Sequence, residues 1–192
     1  MKPFVTFMSA VAFFHLSEFL LASMYMRKDL SRRSWLISEP YCLAMLLACL
    51  EYWLEARFCS IIKFQVISQA GLAGIVTGEF IRKTAMVTAK HNFTHDVKFE
   101  KQQEHVLVTN GIYRYCRHPG YLGWFIWVIG TQMLLMNPVC LTGFSFVAWK
   151  FFSERIAIEE QQLQRFFGKS YKKYAAQTPT LIPFIDRPCN AS

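Results

Sequence analysis

Residues 111–124 read GIYRYCRHPGYLGW, and this stretch decides the architecture that we predict for the chain. It leads polar side chains directly into an apolar segment, residues 121–136, which turns at Asn137–Pro138 into a second apolar segment, residues 139–152. Polar residues flank this hairpin on both sides: Arg114, Arg117, His118, Glu154, Arg155, Glu159 and Glu160. Charges at a membrane boundary are costly unless they are paired or used. We therefore predict two polar clusters that face each other and bind a charged, water-soluble ligand beside a lipid-soluble one.

The apolar residues of the chain predict several membrane spans. They make up 53% of the 192 residues and lie in blocks rather than at the period of a soluble amphipathic helix. A span needs about 20 mainly apolar residues. Five segments fit, the last two as a tilted or partly buried hairpin: residues 3–26, 35–54, 60–81, 121–136 and 139–152. We predict an all-α integral membrane protein with about five transmembrane helices, the first retained rather than cleaved as a signal peptide.

Positive charge is distributed unequally between the two sides of this predicted membrane protein. Lys and Arg near span ends favour the cytoplasmic side. Most of them lie in the first loop (residues 27–33), the third loop (82–117) and the tail (155–187), whereas Lys2, Arg57 and Lys63 lie opposite. The C-terminus is therefore predicted to be cytoplasmic. Anionic lipid explains the net charge of +8, and the chain has no compact basic stripe that would indicate nucleic acid as a partner.

The composition changes once along the chain and suggests two regions. Residues 1–81 are predicted to form a three-span membrane region, and residues 82–192 to carry the polar site on the hairpin and the cytoplasmic tail. The six cysteines show neither a CxxC pair nor zinc-ligand spacing, so we predict no metal site. The oligomeric state is left open.

Each polar motif has a structural and a functional interpretation. Arg117-His118-Pro119 alone is best explained as a headgroup anchor, although a helix start with Gly120 behind it would also bind an anion. Arg155 and Glu159 share a helix face. They would form a surface ion pair worth about 0.3–0.5 kcal/mol, or hold a carboxylate and an amino-bearing ligand at the membrane exit. The short run 106–108 is predicted to line a pocket.

Three further groups of residues have the same two kinds of interpretation. His15 and Glu18 lie three residues apart inside the first span, where ionisable groups are functional by default. Mutual hydrogen bonding, or pairing with Lys or Arg of a neighbouring span, is an equally good interpretation. Glu79 and Lys83 are predicted to form an i, i+4 pair. An interfacial aromatic belt is the favoured interpretation of Tyr113, Tyr115, Tyr121 and Trp124.

Several motifs together resemble the protein-S-isoprenylcysteine O-methyltransferase family. They are NFTH (92–95), HVLV (105–108), GIY (111–113), RHPGYLGW (117–124), GTQM (130–133), Asn137-Pro138, WKFF (149–152), Glu159-Glu160, FFGKSY (166–171) and PFI (183–185). FHLSE (14–18) and RKTA (82–85) are similar to the plant-type members. The resemblance covers essentially the whole chain.

The resemblance implies an enzyme of the endoplasmic reticulum membrane. Its reaction would move a methyl group from S-adenosylmethionine to the C-terminal carboxylate of a prenylated cysteine on CaaX-processed proteins. Arg155 and Glu159 would be catalytic, with Arg155 binding the substrate carboxylate. The cofactor would contact Lys98, His105, Val106, Leu107, Val108, Tyr113, His118, Pro119, Gly120, Tyr121 and Glu159. Lys98 departs from the uncharged glutamine of relatives, which puts that contact in doubt.

Two other functions remain as alternatives from the sequence. An NADPH-dependent membrane sterol-type reductase also uses an Arg-His-Pro motif, but such enzymes usually have more spans than this chain supplies. A non-catalytic membrane scaffold would use the same charges only as anchors. Binding of labelled S-adenosylmethionine or of NADPH discriminates between the three.

Overall fold

The computed structural model describes residues 2–58, 65–101 and 103–185. The predicted all-α fold is confirmed across these residues, which contain helices and no strands. The long helices are α1 (Lys2–Tyr25), α2 (Glu39–Phe58), α3 (Gln65–Ala89), α4 (Pro119–Leu135) and α5 (Pro138–Gln177). Short 3₁₀ turns lie at Arg27–Asp29, Arg32–Trp35, Lys90–Asn92 and Gly111–Arg114. The predicted start of the third span, residues 60–64, lies outside the described residues.

Three helices begin or end away from the predicted span boundaries. Helix α2 begins at Glu39 rather than at residue 35, because residues 32–35 form a 3₁₀ turn. Helix α3 continues past residue 81 to Ala89, so that Glu79, Arg82 and Lys83 lie on one helix. Helix α5 does not end at residue 152 and continues through the polar segment to Gln177. Polar residues marked the predicted ends of the apolar segments, but they do not break a helix.

Helices α3 and α4 pack backbone against backbone through glycines. A Cβ atom on Gly78 would lie 2.5 Å from the Gly123 carbonyl oxygen, and one on Gly123 would lie 2.7 Å from the Arg82 nitrogen. A Cβ on Gly71 would lie 2.7 Å from the Gly130 carbonyl oxygen. Small residues permit this approach between apolar helices. The packing places Arg82 beside the first turn of α4.

The predicted turn between α4 and α5 is confirmed. Met136 adopts a left-handed conformation (φ 60°) after α4, and Pro138 begins α5, where a missing N–H costs nothing. Asn137 is fully buried and donates to the Ala48 carbonyl at 2.8 Å. The carboxylate of Glu51 accepts from the Val139 and Cys140 amides at 2.7 Å each. Helix α2 therefore holds the closed end of the α4–α5 hairpin.

Gly168 interrupts α5. Glycine often ends a helix, and here it separates a first helical segment from a second one that reaches Gln177. Gly168 has φ 51° and ψ −123°, a conformation that glycine adopts without steric cost. The final turns return toward α4, where Tyr171 and Ala175 are buried. The bend therefore brings the tail over the polar cluster.

The outer faces of the bundle are apolar. Large side chains are exposed along α1 (Val5, Phe13, Leu16, Leu20), α2 (Leu43, Leu46, Leu50, Trp53) and α5 (Val139, Phe146, Val147). Apolar exposure of this extent exceeds what a soluble monomer presents and indicates contact with lipid or protein. Among the described helices, Lys2–Tyr25 meets the length and hydropathy criteria of a membrane span, so the count of five spans stays a prediction.

Candidate functional site

The start of α4 is buried, which makes the headgroup-anchor interpretation of Arg117 and His118 wrong. Arg117 is 6% exposed and His118 5% exposed. The Arg117 Nη1 donates to the carbonyls of Ala175 (2.7 Å) and Thr178 (2.8 Å). Because these carbonyls end the last helix, Arg117 fixes the C-terminal segment against α4 rather than contacting lipid.

The two polar clusters meet at the open end of the hairpin, as predicted. His118 Nε2 lies 3.2 Å from Glu160 Oε1, and its Nδ1 lies 3.9 Å from Glu159 Oε1. Arg117 Nε lies 2.8 Å from the same Glu160 oxygen. Burial opposes ionisation of Glu160, but the His118 hydrogen bond and the nearby Arg117 charge hold its pKa below the usual range. Glu160 is therefore an ionised structural partner of both residues.

A cavity of about 110 Å³, the loop cavity, lies between the 92–121 segment and α5. Nine of the eleven predicted cofactor residues line it: Val106, Leu107, Val108, Tyr113, His118, Pro119, Gly120, Tyr121 and Glu159. Sequence reasoning missed further lining residues, among them Asn92, Phe93, Leu163, Phe167 and Tyr174. Leu163 and Phe167 lie four residues apart on one face of α5, a spacing that by itself indicates only an amphipathic helix.

Lys98 and His105 lie outside the loop cavity. Both line an adjoining cavity of about 80 Å³, which shares Val106 and Glu159 with the loop cavity. Lys98 Nζ pairs with Asp29 at 2.6 Å, and the His105 ring packs near Phe166. Burial and the neighbouring Lys98 charge lower the pKa of His105, so its ring is neutral near pH 7. The structure therefore brings these two residues to Val106 and Glu159 but not into the loop cavity.

Two side chains that line the loop cavity also fix its backbone. The Asn92 side-chain oxygen accepts from the Val106 amide at 2.8 Å, and the Tyr174 hydroxyl donates to the Tyr113 carbonyl at 2.5 Å. Burial raises the pKa of Tyr113 and Tyr174, so both hydroxyls stay protonated donors at neutral pH. A Cβ on Gly120 would lie 2.9 Å from the Phe93 ring, so only glycine leaves this wall undisturbed.

A larger cavity of about 390 Å³, the bundle cavity, opens between the helices. Its walls are largely apolar and aromatic, and include Leu36, Ile37, Phe93, Trp124, Phe151 and Phe152. Arg155 lines it, and the guanidinium carbon lies 5.7 Å from the Tyr121 ring centroid and 5.8 Å from that of Phe151. The cavity thus combines apolar and aromatic walls with a polar part formed by Arg155, Arg82, His95 and Asp96, which suits an amphiphilic ligand.

The two cavities share a wall made of Phe93, Thr94 and Tyr121. The Tyr121 hydroxyl donates to Glu159 and accepts from Arg155 Nε at 2.9 Å. Arg155 Nη2 also donates to the His95 carbonyl. Tyr121 therefore bridges Arg155 and Glu159, which face different cavities.

The aromatic residues do not form the predicted belt. Tyr115 is 69% exposed, in agreement with an interfacial position. Tyr113 and Tyr121 line the loop cavity, and Trp124 lines the bundle cavity. The belt interpretation does not account for these three, because they line cavities.

The question left open for His15 and Glu18 has separate answers. His15 bonds with the Trp35 carbonyl (2.7 Å) and the Tyr41 hydroxyl (2.8 Å), a structural role. Glu18 is fully buried and pairs with Arg82 and Lys83 of α3. The predicted Glu79–Lys83 pair is present at 3.4 Å.

The loop cavity offers a hydrogen-bond acceptor for an amino-bearing ligand. Glu159 presents a carboxylate for an ammonium group, and the residues 106–108 and Leu163 offer apolar surface beside backbone polar groups. On the other side of Tyr121, Arg155 offers a guanidinium, which binds carboxylates well.

Comparisons with known proteins show the family of this chain. The model of the isoprenylcysteine carboxyl methyltransferase (ICMT) family matches residues 69–165. A protein-S-isoprenylcysteine O-methyltransferase of Xenopus laevis is 44% identical over 96% of this chain, which spans 65% of that protein. Form B of the enzyme from Arabidopsis thaliana is also 44% identical, over 92% of this chain and 91% of its own length.

A solved structure is similar over nearly the whole chain. It is that of the eukaryotic intramembrane Ras methyltransferase, an isoprenylcysteine carboxyl methyltransferase. The TM-score is 0.92 and the identity 42%, over 96% of this chain and 67% of that one. This chain thus spans about two thirds of its longer relatives and nearly all of the plant protein.

Proposed function

Because the chain belongs to the isoprenylcysteine carboxyl methyltransferase family, we propose that it methylates the C-terminal carboxylate of prenylated cysteine on CaaX-processed proteins. The observation that supports this most directly is the shared wall between the two cavities. Tyr121 contacts both Arg155, which lines the bundle cavity, and Glu159, which lines the loop cavity. Two different ligands would therefore meet across one side chain.

S-adenosylmethionine is the proposed methyl donor, and the loop cavity is its proposed site. It supplies a methyl group already activated on a positively charged sulfur. Glu159 would accept hydrogen bonds from the amino group, while Val106, Leu107 and Val108 would border the nucleoside. Lys98 and His105 belong to the proposed cofactor set only through the adjoining cavity.

The prenylated cysteine would occupy the bundle cavity. Its hydrocarbon tail gains about 0.8 kcal/mol per CH₂ buried in lipid or apolar surface, so Trp124, Phe151 and Phe152 suit it. Arg155 would bind the carboxylate, because a guanidinium pairs with that group through two parallel hydrogen bonds. To do so it would exchange part of its present bonding to Tyr121 and His95.

The residues present are sufficient for methyl esterification. The acceptor carboxylate is ionised at neutral pH, so no residue has to remove a proton. A carboxylate oxygen forms the new bond to carbon as the carbon–sulfur bond breaks, which leaves an ester and a neutral thioether. What the protein contributes is alignment of the two reacting atoms. Arg155, Tyr121 and Glu159 provide it from one continuous hydrogen-bonded row.

The proposed setting is the endoplasmic reticulum membrane, with the C-terminus in the cytoplasm. The exposed apolar faces of α1, α2 and α5 support a lipid environment, and the basic first loop and tail support this orientation. The acceptor would then arrive laterally from lipid and the donor from the cytoplasm.

The experiment is methylation of N-acetyl-S-farnesylcysteine by membranes carrying the protein, with methyl-labelled S-adenosylmethionine. We expect label in a base-labile ester that releases methanol, and none with the acceptor's methyl ester in place of the free acid. Incorporation that is equal for both acceptors, or that is absent from well-folded protein, contradicts the proposal. NADPH binding in place of S-adenosylmethionine would favour a reductase.

A further inference from the structure

Glu18 is a buried carboxylate that lines neither cavity. It lies in the middle of α1 and is fully buried. Arg82 donates to it twice, through Nε at 2.7 Å and Nη2 at 2.8 Å, and Lys83 donates at 2.5 Å. His95 Nε2 lies 3.1 Å from the second carboxylate oxygen. Glu18 thus makes four hydrogen-bond contacts with α3 and with the loop that follows it, and these contacts fix the two segments relative to each other.

Two of these partners, Arg82 and His95, also form hydrogen bonds with residues of the proposed site. Arg82 Nη1 donates to the Gly120 carbonyl at 3.0 Å, and Gly120 lines the loop cavity. The His95 carbonyl accepts from Arg155, which lines the bundle cavity. Glu18 is thus joined to one wall of each cavity, through Arg82 on one side and His95 on the other.

Aromatic packing restricts this network further. The Arg82 guanidinium lies 5.6 Å from the Phe14 ring centroid and 5.8 Å from that of Phe93. Phe93 belongs to the wall shared by both cavities, and its ring also lies next to the Gly120 backbone. Movement of Arg82 would therefore displace the shared wall as well as the start of α4.

We propose that Glu18 is a positioning residue for methyl transfer, which aligns Arg155 through His95 and the Gly120 wall through Arg82. The inference rests on the proposed function, because it assigns a role in that reaction. A misplacement of about 1 Å at a reacting centre can reduce the rate by about 100-fold, so a remote carboxylate can control turnover. A purely structural Glu18 would matter for folding but not for turnover by the folded protein.

The first test compares Glu18→Gln with Glu79→Gln in the purified full chain. Both changes remove a buried carboxylate charge at constant size, but Glu79 pairs with Lys83 and contacts neither His95 nor Arg155 among the described interactions. We expect Glu18→Gln to lower kcat at least about tenfold and to weaken S-adenosylhomocysteine binding at least about threefold. Glu79→Gln should leave both within about twofold of the parent.

The second test isolates the His95 branch and covers the possibility that Glu18→Gln does not fold. His95→Leu keeps the bulk but removes the donor to Glu18, and His95→Gln keeps a donor. We expect His95→Leu to lower kcat about tenfold at unchanged S-adenosylhomocysteine affinity, and His95→Gln to restore most of it. Parent-like kcat in folded Glu18→Gln or in His95→Leu overturns the inference. An inactive parent protein would instead reject the proposed function, since the comparison requires parent activity.

Discussion

The loop cavity and the bundle cavity share a wall but differ in construction. The loop cavity is lined by backbone, by Glu159 and by residues that lie close together in the sequence, from Ala89 to Tyr121, with a second contribution from α5. The bundle cavity is larger, mainly apolar, and combines residues from five separate segments of the chain. Under the proposed function, loops would hold the polar, water-borne ligand, whereas helices would hold the lipid-borne ligand between them.

Replacing Arg155 in the bundle cavity or Glu159 in the loop cavity should separate binding of the acceptor from binding of the donor. These two replacements should also cause the largest losses of turnover. Arg155→Ala should lower kcat/KM for N-acetyl-S-farnesylcysteine about 10²- to 10³-fold, because a desolvated charged hydrogen bond is lost. Its S-adenosylhomocysteine affinity, measured by calorimetry, should stay unchanged. Glu159→Ala should show a comparable loss of turnover together with weakened S-adenosylhomocysteine binding.

Arg165→Ala is the matched control for this pair. Arg165 lies on the same helix and is exposed. Its replacement should leave turnover and binding at parental values. If Arg155→Ala is folded and still turns over at the parental rate, the bundle cavity does not bind the acceptor carboxylate.

Tyr121→Phe should disturb both cavities at once, with a smaller effect. The hydroxyl donates to Glu159 and accepts from Arg155, and its loss leaves both charged groups short of a partner. We expect kcat/KM to fall about 10- to 100-fold, the range for hydrogen bonds to charged groups. Both S-adenosylhomocysteine affinity and the acceptor KM should change. Tyr115→Phe serves as the control, since Tyr115 is exposed; a change confined to one ligand would show that the bridge is not shared.

The glycine contact between α3 and α4 supports the wall that both cavities use. A Cβ on Gly78 would approach the Gly123 carbonyl oxygen to 2.5 Å, whereas one on Gly143 of α5 meets nothing within 4 Å. Gly78→Ala should therefore lower the unfolding free energy by about 1–3 kcal/mol. Gly143→Ala should be neutral or stabilising by up to about 1 kcal/mol, because alanine favours the helix. Thermal unfolding in detergent measures both, and equal midpoints would contradict close α3–α4 packing.

The difference between the loop cavity and the bundle cavity also explains which features the sequence could predict. The hairpin, its Asn137–Pro138 turn and the meeting of His118 with Glu159 and Glu160 follow from the order of apolar and polar blocks. Many residues of the loop cavity lie close together in the sequence, between 89 and 121, and the family resemblance pointed to half of its lining residues. Whether they bind the proposed ligand stays a prediction.

The sequence did not identify the set of residues that lines the bundle cavity. Its walls come from residues 36–38, the 93–96 loop and both hairpin helices, which only tertiary packing brings together. Burial of Arg117 was missed for a similar reason: its partners are the carbonyls of Ala175 and Thr178, which carry no side-chain signal. The glycines that set the α3–α4 distance were visible in the sequence, but their partner helix was not.

Replacement of Lys98 should cause the smallest change in the enzyme kinetics. Resemblance placed it among the cofactor contacts, yet it pairs with Asp29, and both side chains are partly exposed. Exposed pairs contribute about 0–1 kcal/mol, so Lys98→Gln should change the KM for S-adenosylmethionine by less than about threefold, and Asp29→Asn should do the same. A loss above about tenfold in Lys98→Gln alone would mean that Lys98 leaves Asp29 and reaches the donor. The adjoining cavity, which shares Val106 and Glu159 with the loop cavity, would then be part of the cofactor site.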